Sequence, residues 1–181
     1  MLLNIASNKS ESSLSVVDAV SVQPNAVDLR LARVFKFRDS AKGFINVFEI
    51  DEEGKTHAQK EEILPNDDGY WYLYPSTYEI QFEGLVSMGE KEAGWVITRS
   101  TLNRNGVFIT TGLYDSGYNG AAAAALHVMS VPMKIKKGTR VAQFVLAESE
   151  AVKSYDGSYG ISSETGSPKK DEAVYHGEKN G

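Results

Sequence analysis

The sequence predicts an all-β fold, and three observations lead there. Short alternating stretches recur along the chain, turn-forming residues separate them at close intervals, and no βαβ alternation is present. Asp28-Leu-Arg-Leu-Ala-Arg-Val-Phe-Lys-Phe37 alternates apolar and polar side chains, the period of a half-buried strand. Ile45-Asn-Val-Phe-Glu-Ile50 repeats that period, and Tyr70-Trp-Tyr-Leu-Tyr74 is dense in aromatic residues that suit a pleated surface. Further strands are predicted over 77–82, 94–98, 106–110, 123–129 and 140–146. Between them lie turn signals: Asn66-Asp-Asp-Gly69, Met88-Gly89, Asn105-Gly106, Asn119-Gly120 and Lys137-Gly138. One helical stretch, 99–104, is short. A barrel or a sandwich fits this pattern.

The chain of 181 residues is long enough for one domain with its own core. Residues 1–149 read as that domain, with 1–20 as an N-terminal arm, its serine-rich residues 7–16 reading as arm or short helix. After Glu148 the composition turns to Ser, Gly, Lys and Glu, so 150–181 reads as a flexible tail, mobile unless something orders it. The absence of cysteine excludes a disulfide framework and a thiolate zinc site. His57, His127 and His176 are scattered and form no metal-binding spacing. Net charge is −5, and the nearest approach to a basic run is Lys134-Ile-Lys-Lys137, so no nucleic-acid partner is expected. Met1-Leu-Leu-Asn-Ile-Ala6 is too briefly apolar for a secretory leader, and no stretch of about 18 apolar residues exists to span a membrane. The expected location is cytoplasmic.

Four segments can carry chemistry. In Thr98-Arg-Ser-Thr-Leu-Asn-Arg104 a serine at a helix start leaves backbone N–H groups for an anion, and two arginines supply charge-assisted hydrogen bonds. Read alone, an N-cap flanked by surface arginines is the simpler account. Gly112-Leu-Tyr-Asp-Ser-Gly-Tyr-Asn-Gly120 sets an aspartate three residues before a tyrosine among glycines, which by itself is an ordinary turn. In Lys137-Gly-Thr-Arg-Val-Ala-Gln-Phe-Val145 a single glutamine among apolar residues is either an edge-exposed polar group or a placed ligand contact. Tyr155-Asp-Gly-Ser-Tyr-Gly160 is either disordered or a lid that folds over a ligand.

Taken in order, these segments resemble the dUTPase and dCTP deaminase superfamily of trimeric β-barrel enzymes. The resemblance runs from Val22-Gln-Pro-Asn-Ala-Val-Asp-Leu-Arg-Leu31 to about Gly160. Arg99-Ser-Thr-Leu is similar to the family's Arg-Ser-Ser-Leu phosphate motif. Residues 112–120 resemble the Gly-x-x-Asp-x-x-Tyr-x-Gly signature, and Gly138-Thr-Arg-Val-Ala-Gln143 resembles Gly-x-Arg-Ile-Ala-Gln. The implied fold is a distorted β-barrel or jelly roll with one or two short helices. The implied reaction is hydrolysis of a deoxynucleoside triphosphate, dUTP before others, to the monophosphate and pyrophosphate.

The resemblance also implies roles. Asp115 would orient and deprotonate the attacking water. Tyr118 would stack under the deoxyribose and base. Arg99, Ser100 and Gln143 would hold the phosphates, with Arg104 joining them, while Thr110 and Thr111 would offer backbone groups to the base edge. Tyr159 would close over the base from the tail. Mg2+ would bridge the phosphates and keep most of its waters, so a missing carboxylate cage is no objection. A homotrimer is implied, with Arg99, Ser100 and Gln143 facing Asp115 and Tyr118 across an interface.

Two departures qualify the match. The deaminase branch places a glutamate ten residues beyond Asp115, where this chain has Ala125, and an alanine transfers no proton. The run 121–125 reads instead as a strand packed against a neighbouring subunit or helix. In the tail no arginine precedes Gly157-Ser-Tyr-Gly160, and Lys169 and Lys170 are the nearest downstream cations. Two other readings stay open: a dCTP deaminase or modified-pyrimidine diphosphatase on the same scaffold, and a non-catalytic nucleotide-binding relative.

Overall fold

The computed structural model describes residues 1–40, 45–50, 56–162 and 165–169. It is nearly all-β, with strands β1 (Leu2–Leu3), β2 (Ser13–Leu14), β3 (Val27–Phe37), β4 (Lys60–Ile63), β5 (Tyr70–Leu73), β6 (Ser76–Ser87) and β7 (Glu92–Thr98). A single turn of helix, α1 (Ser100–Asn103), precedes β8 (Val107–Thr110), β9 (Asn119–Val128), β10 (Met133–Lys136) and β11 (Arg140–Glu148). The main sheet runs β1-β11-β3-β6-β9-β8, with β7 added to β11, β4 to β3 and β2 to β6. β5 and β10 form a separate ribbon in which Lys134 and Lys136 lie over the Tyr70 ring.

The long strand β3 turns the corner of this curled sheet. Its first half pairs with β11 and its second half with β6, and register shifts at Leu31/Arg33 and Arg140/Ala142 mark the bend. Such bulges concentrate twist where a sheet rolls over on itself. The inner face carries Val27, Leu31, Val34, Ile80, Phe82, Val86, Leu126, Val141, Phe144 and Leu146, all buried. In β6 the alternation is regular: Tyr78, Ile80 and Phe82 point into the core, while Glu79 and Gln81 stand on the other face. Burying the inward row supplies the main driving force for the curl.

Several sequence expectations are met and several are refined. The strands expected from 77, 94, 106, 123 and 140 onward all form, some longer at one end. The stretch 45–50 forms no strand: Asn46 instead ties the backbones of Arg38 and Gln59 with its side-chain amide. The N-terminal arm is not helical. Its β1 pairs with β11 and its β2 with β6. The buried carboxylate of Glu92 accepts from the backbone N–H groups of Glu11 and Ser12 and from the hydroxyls of Ser10 and Ser12. Burial pushes this carboxyl up, but those hydrogen bonds together hold it below the usual range.

Candidate functional site

Residues 112–120 begin the site. The Tyr118 N–H donates to the Asp115 carbonyl at 3.0 Å, closing a turn whose third residue, Gly117, has φ +78°. A side chain is disfavoured there, and glycine is what this turn demands. The turn leaves the Asp115 side chain exposed and sinks Tyr118 to 7% exposure. The Tyr118 hydroxyl donates to the Ala121 carbonyl at 2.7 Å, and its ring meets Tyr114 and Tyr155 edge-on at 5.5 and 5.3 Å. Tyr114 is pinned to β7 by paired backbone bonds with Gly94 and donates its own hydroxyl to Ala123.

Above this turn opens a cavity of about 510 Å3. Its floor is the alanine run of β9, at Ala121, Ala123, Ala124 and Ala125, and its walls carry Tyr118, Tyr155 and Tyr159. Ala123 and Ala125 stand opposite Gln81 and Glu79, on the face of β9 away from the core, and their small side chains leave that space open. Thr110 and Thr111 line it as well, with the Thr110 hydroxyl on His127 Nε2 at 3.0 Å and the Thr111 hydroxyl accepting from the Val96 N–H. From the tail, the Tyr155 N–H donates to the Ser116 carbonyl and the Ile161 N–H to the Asn119 carbonyl. What holds the tail here is thus the chain's own signature loop. Lys169 folds back with it, donating to the Gly157 carbonyl and lying over the Tyr155 ring at 5.2 Å. Lys170 lies outside the described residues.

The phosphate-motif residues gather elsewhere, around Asp28. Its side chain is 0% exposed and sits in β3 beside β11. Arg140 reaches it at 3.1 Å, the Gln143 amide donates to it at 3.0 Å, and the Arg99 guanidinium stands 3.6 Å away. Arg99 also donates to the Arg140 carbonyl. One buried carboxylate thus aims two guanidinium groups and an amide together, and such a cluster of donors suits a polyanion. Ser100 and Arg104 are exposed on and beside α1. The helix cap is Arg99, without a side-chain cap bond, so Ser100 is not the capping residue. Neither Arg99, Ser100, Arg104, Gln143 nor Asp115 is among the described residues lining the cavity.

Residues 4–149 match the model of the dCTP deaminase-like family. The chain belongs to that family. A probable deoxyuridine 5'-triphosphate nucleotidohydrolase of Halobacterium salinarum is 32% identical over 143 residues, which is 76% of this chain and 82% of that protein. A dUMP-forming dCTP deaminase of Persephonella marina is 30% identical over 148 residues, 79% of each chain. The structure of a 2'-deoxycytidine 5'-triphosphate deaminase from Agrobacterium tumefaciens shares the fold, with a TM-score of 0.54 at 19% identity over 79% of this chain and 44% of that one. In this dCTP deaminase-like chain, position 125 is an alanine in the cavity floor.

Sequence reasoning passed over four groups that the fold brings forward: Asp28, Arg140, Tyr114 and Glu79. Asp28, Arg140 and Tyr114 stand inside quoted motifs, where their position in the string was the available signal. Glu79 carried no local signal. It enters the cavity only through its place in the sheet.

Proposed function

We propose that this chain hydrolyses dUTP to dUMP and pyrophosphate. The observation that carries the reading is the ring-walled, alanine-floored cavity over the Asp115–Tyr118 turn, sized for one nucleoside. The names of the relatives support a pyrimidine deoxynucleotide triphosphate as substrate. An alanine at 125 favours hydrolysis over deamination, because that position offers no group to move a proton.

In this reading Tyr118 packs under the sugar and base. The Tyr118 hydroxyl is engaged by Ala121, which fixes the ring's orientation. Asp115 takes a proton from water as the water oxygen bonds to the α-phosphorus. The bond from that phosphorus to the bridging oxygen breaks, and pyrophosphate leaves with its electron pair. Arg99, Ser100, Arg104 and Gln143 hold the phosphates, joined by Arg140. Among the described residues no trio of His, Asp or Glu is placed to hold a metal. Mg2+ would be carried with the substrate's phosphates and would neutralise their charge.

The homotrimer implied by the family resemblance belongs to the same reading. The described lining of the cavity includes no lysine or arginine. A bound triphosphate needs cations, and the Asp28-centred cluster of a second copy would supply them at the cavity mouth. Tyr159 would close the site from the tail.

The test is a panel of dNTPs with magnesium, read by chromatography of products and by ammonia release. Pyrophosphate and dUMP from dUTP are expected, with Asp115→Asn slower by about 100-fold or more, the range for a general base. No monophosphate from any dNTP sinks the proposal, as does an unchanged rate in that variant.

A further inference from the structure

Four adjacent strands place one row of side chains on one face of the sheet: Phe35 of β3 opposite Glu79 of β6, Glu79 opposite Ala125 of β9, and Ala125 opposite Thr110 of β8. Directly opposed residues stand on the same face of a sheet. Glu79, Ala125 and Thr110 all line the cavity. Ala125 is the low point of the row, so Glu79 and Thr110 flank a slot two strand spacings wide, roughly 10 Å. A flat pyrimidine ring fits such a slot with its edge toward one wall.

Glu79 is the one carboxylate among the described lining residues. It is ion-paired with Lys60, and the two side chains are 19% and 17% exposed. The Lys60 ammonium also lies over the Phe35 ring at 5.4 Å, so the pair is braced from the β3 side. Holding two charges that far out of water is costly, and an ion pair there gives little stability that apolar side chains of similar volume would not give. A polar role toward a ligand accounts for the pair. An ion-paired carboxylate accepts hydrogen bonds and donates none, so it selects a ring edge bearing an N–H. The uracil imide edge presents such an N–H at N3.

We infer that Glu79, braced by Lys60, is the specificity residue that accepts the N3–H of the pyrimidine from β6 across the slot left by Ala125. The inference rests on the pyrimidine triphosphate reading above and adds a side-chain contact to it. It is tested with two substrates, dUTP and N3-methyl-dUTP, on the full chain. In the wild type N3-methylation should lower kcat/KM by about 10- to 100-fold, the range for losing a hydrogen bond to a charged group. In Glu79→Ala the ratio should fall to about threefold or less.

A second variant, Lys60→Met with Glu79→Leu, exchanges the ion pair for apolar side chains of similar volume and so retains the fold. It should show the same collapse. If either folded variant keeps a ratio above about threefold, the inference is overturned. Should the wild type turn over no nucleotide, the hydrolytic reading falls on its own. The same ratio is then read by calorimetric binding of the two nucleotides, and equal binding to the wild type overturns the inference about Glu79.

Discussion

Asp28 gives the sharpest test of how the cluster of Arg99, Arg140 and Gln143 is built. Replacing it with alanine removes the partner of two guanidinium groups, at 3.1 and 3.6 Å, and of the Gln143 amide at 3.0 Å. Breaking a fully buried pair costs about 3–5 kcal/mol. Here the carboxylate is completely buried, but Arg99 and Arg140 are 31% and 29% exposed and regain part of their hydration. A discounted cost of about 2–3 kcal/mol follows. For a domain of this size that lowers Tm by about 4–12 °C, read by circular dichroism. Freed of Asp28, Arg99 and Gln143 also lose their common aim, so KM for the nucleotide should rise more than kcat falls. Asp28→Asn keeps the shape and one acceptor oxygen and should fall between. An Asp28→Ala protein melting within about 2 °C of the wild type, with KM unchanged, would refute this account of the cluster.

Two further outcomes follow from the arm and the tail. The folded Glu92 carboxyl is held below its usual range, so its stabilisation is present at neutral pH and fades as pH falls through that lowered value. In urea melts Glu92→Gln should be less stable than the wild type by about 1.5–3 kcal/mol at neutral pH, with the gap closing as pH falls below the usual carboxylate range; a constant gap counts against the reading. Gly160 has φ +91°, and an added Cβ would run into the Asn119 carbonyl oxygen. Gly160→Ala should therefore detach the tail, seen as faster hydrogen exchange at the Tyr155 and Ile161 amides, with little change in global stability. Unchanged exchange there would mean that the backbone accommodates the methyl group.

Much of this was legible in the chain itself. Alternation in 28–37 and in the strands from 77 onward reported a half-buried sheet, because side-chain period follows directly from backbone geometry. The signature loop and the Arg-Ser and Gly-x-Arg motifs were visible as local strings, and so was the missing glutamate at 125. The stretch 45–50 misled because alternation is a condition for a strand and does not supply a partner. β4 escaped notice since Lys-Glu-Glu-Ile carries no apolar period, and it forms because β3 offers Val34–Phe37 an open edge. The arm looked unanchored because its holdfast, Glu92, lies some 80 residues away.

By itself, then, the sequence determined an all-β fold, a turn over 112–120 that carries Asp115 and Tyr118, and an alanine at 125. Those are properties of neighbouring residues and of backbone period. The tertiary structure alone decided that Arg99, Arg140 and Gln143 converge on Asp28, and that Tyr155 and Ile161 of the tail pair with the signature loop. It also set Glu79 opposite Ala125. Cross-strand register made these neighbours, and register is fixed by the whole sheet's burial pattern and bulges rather than by any local string.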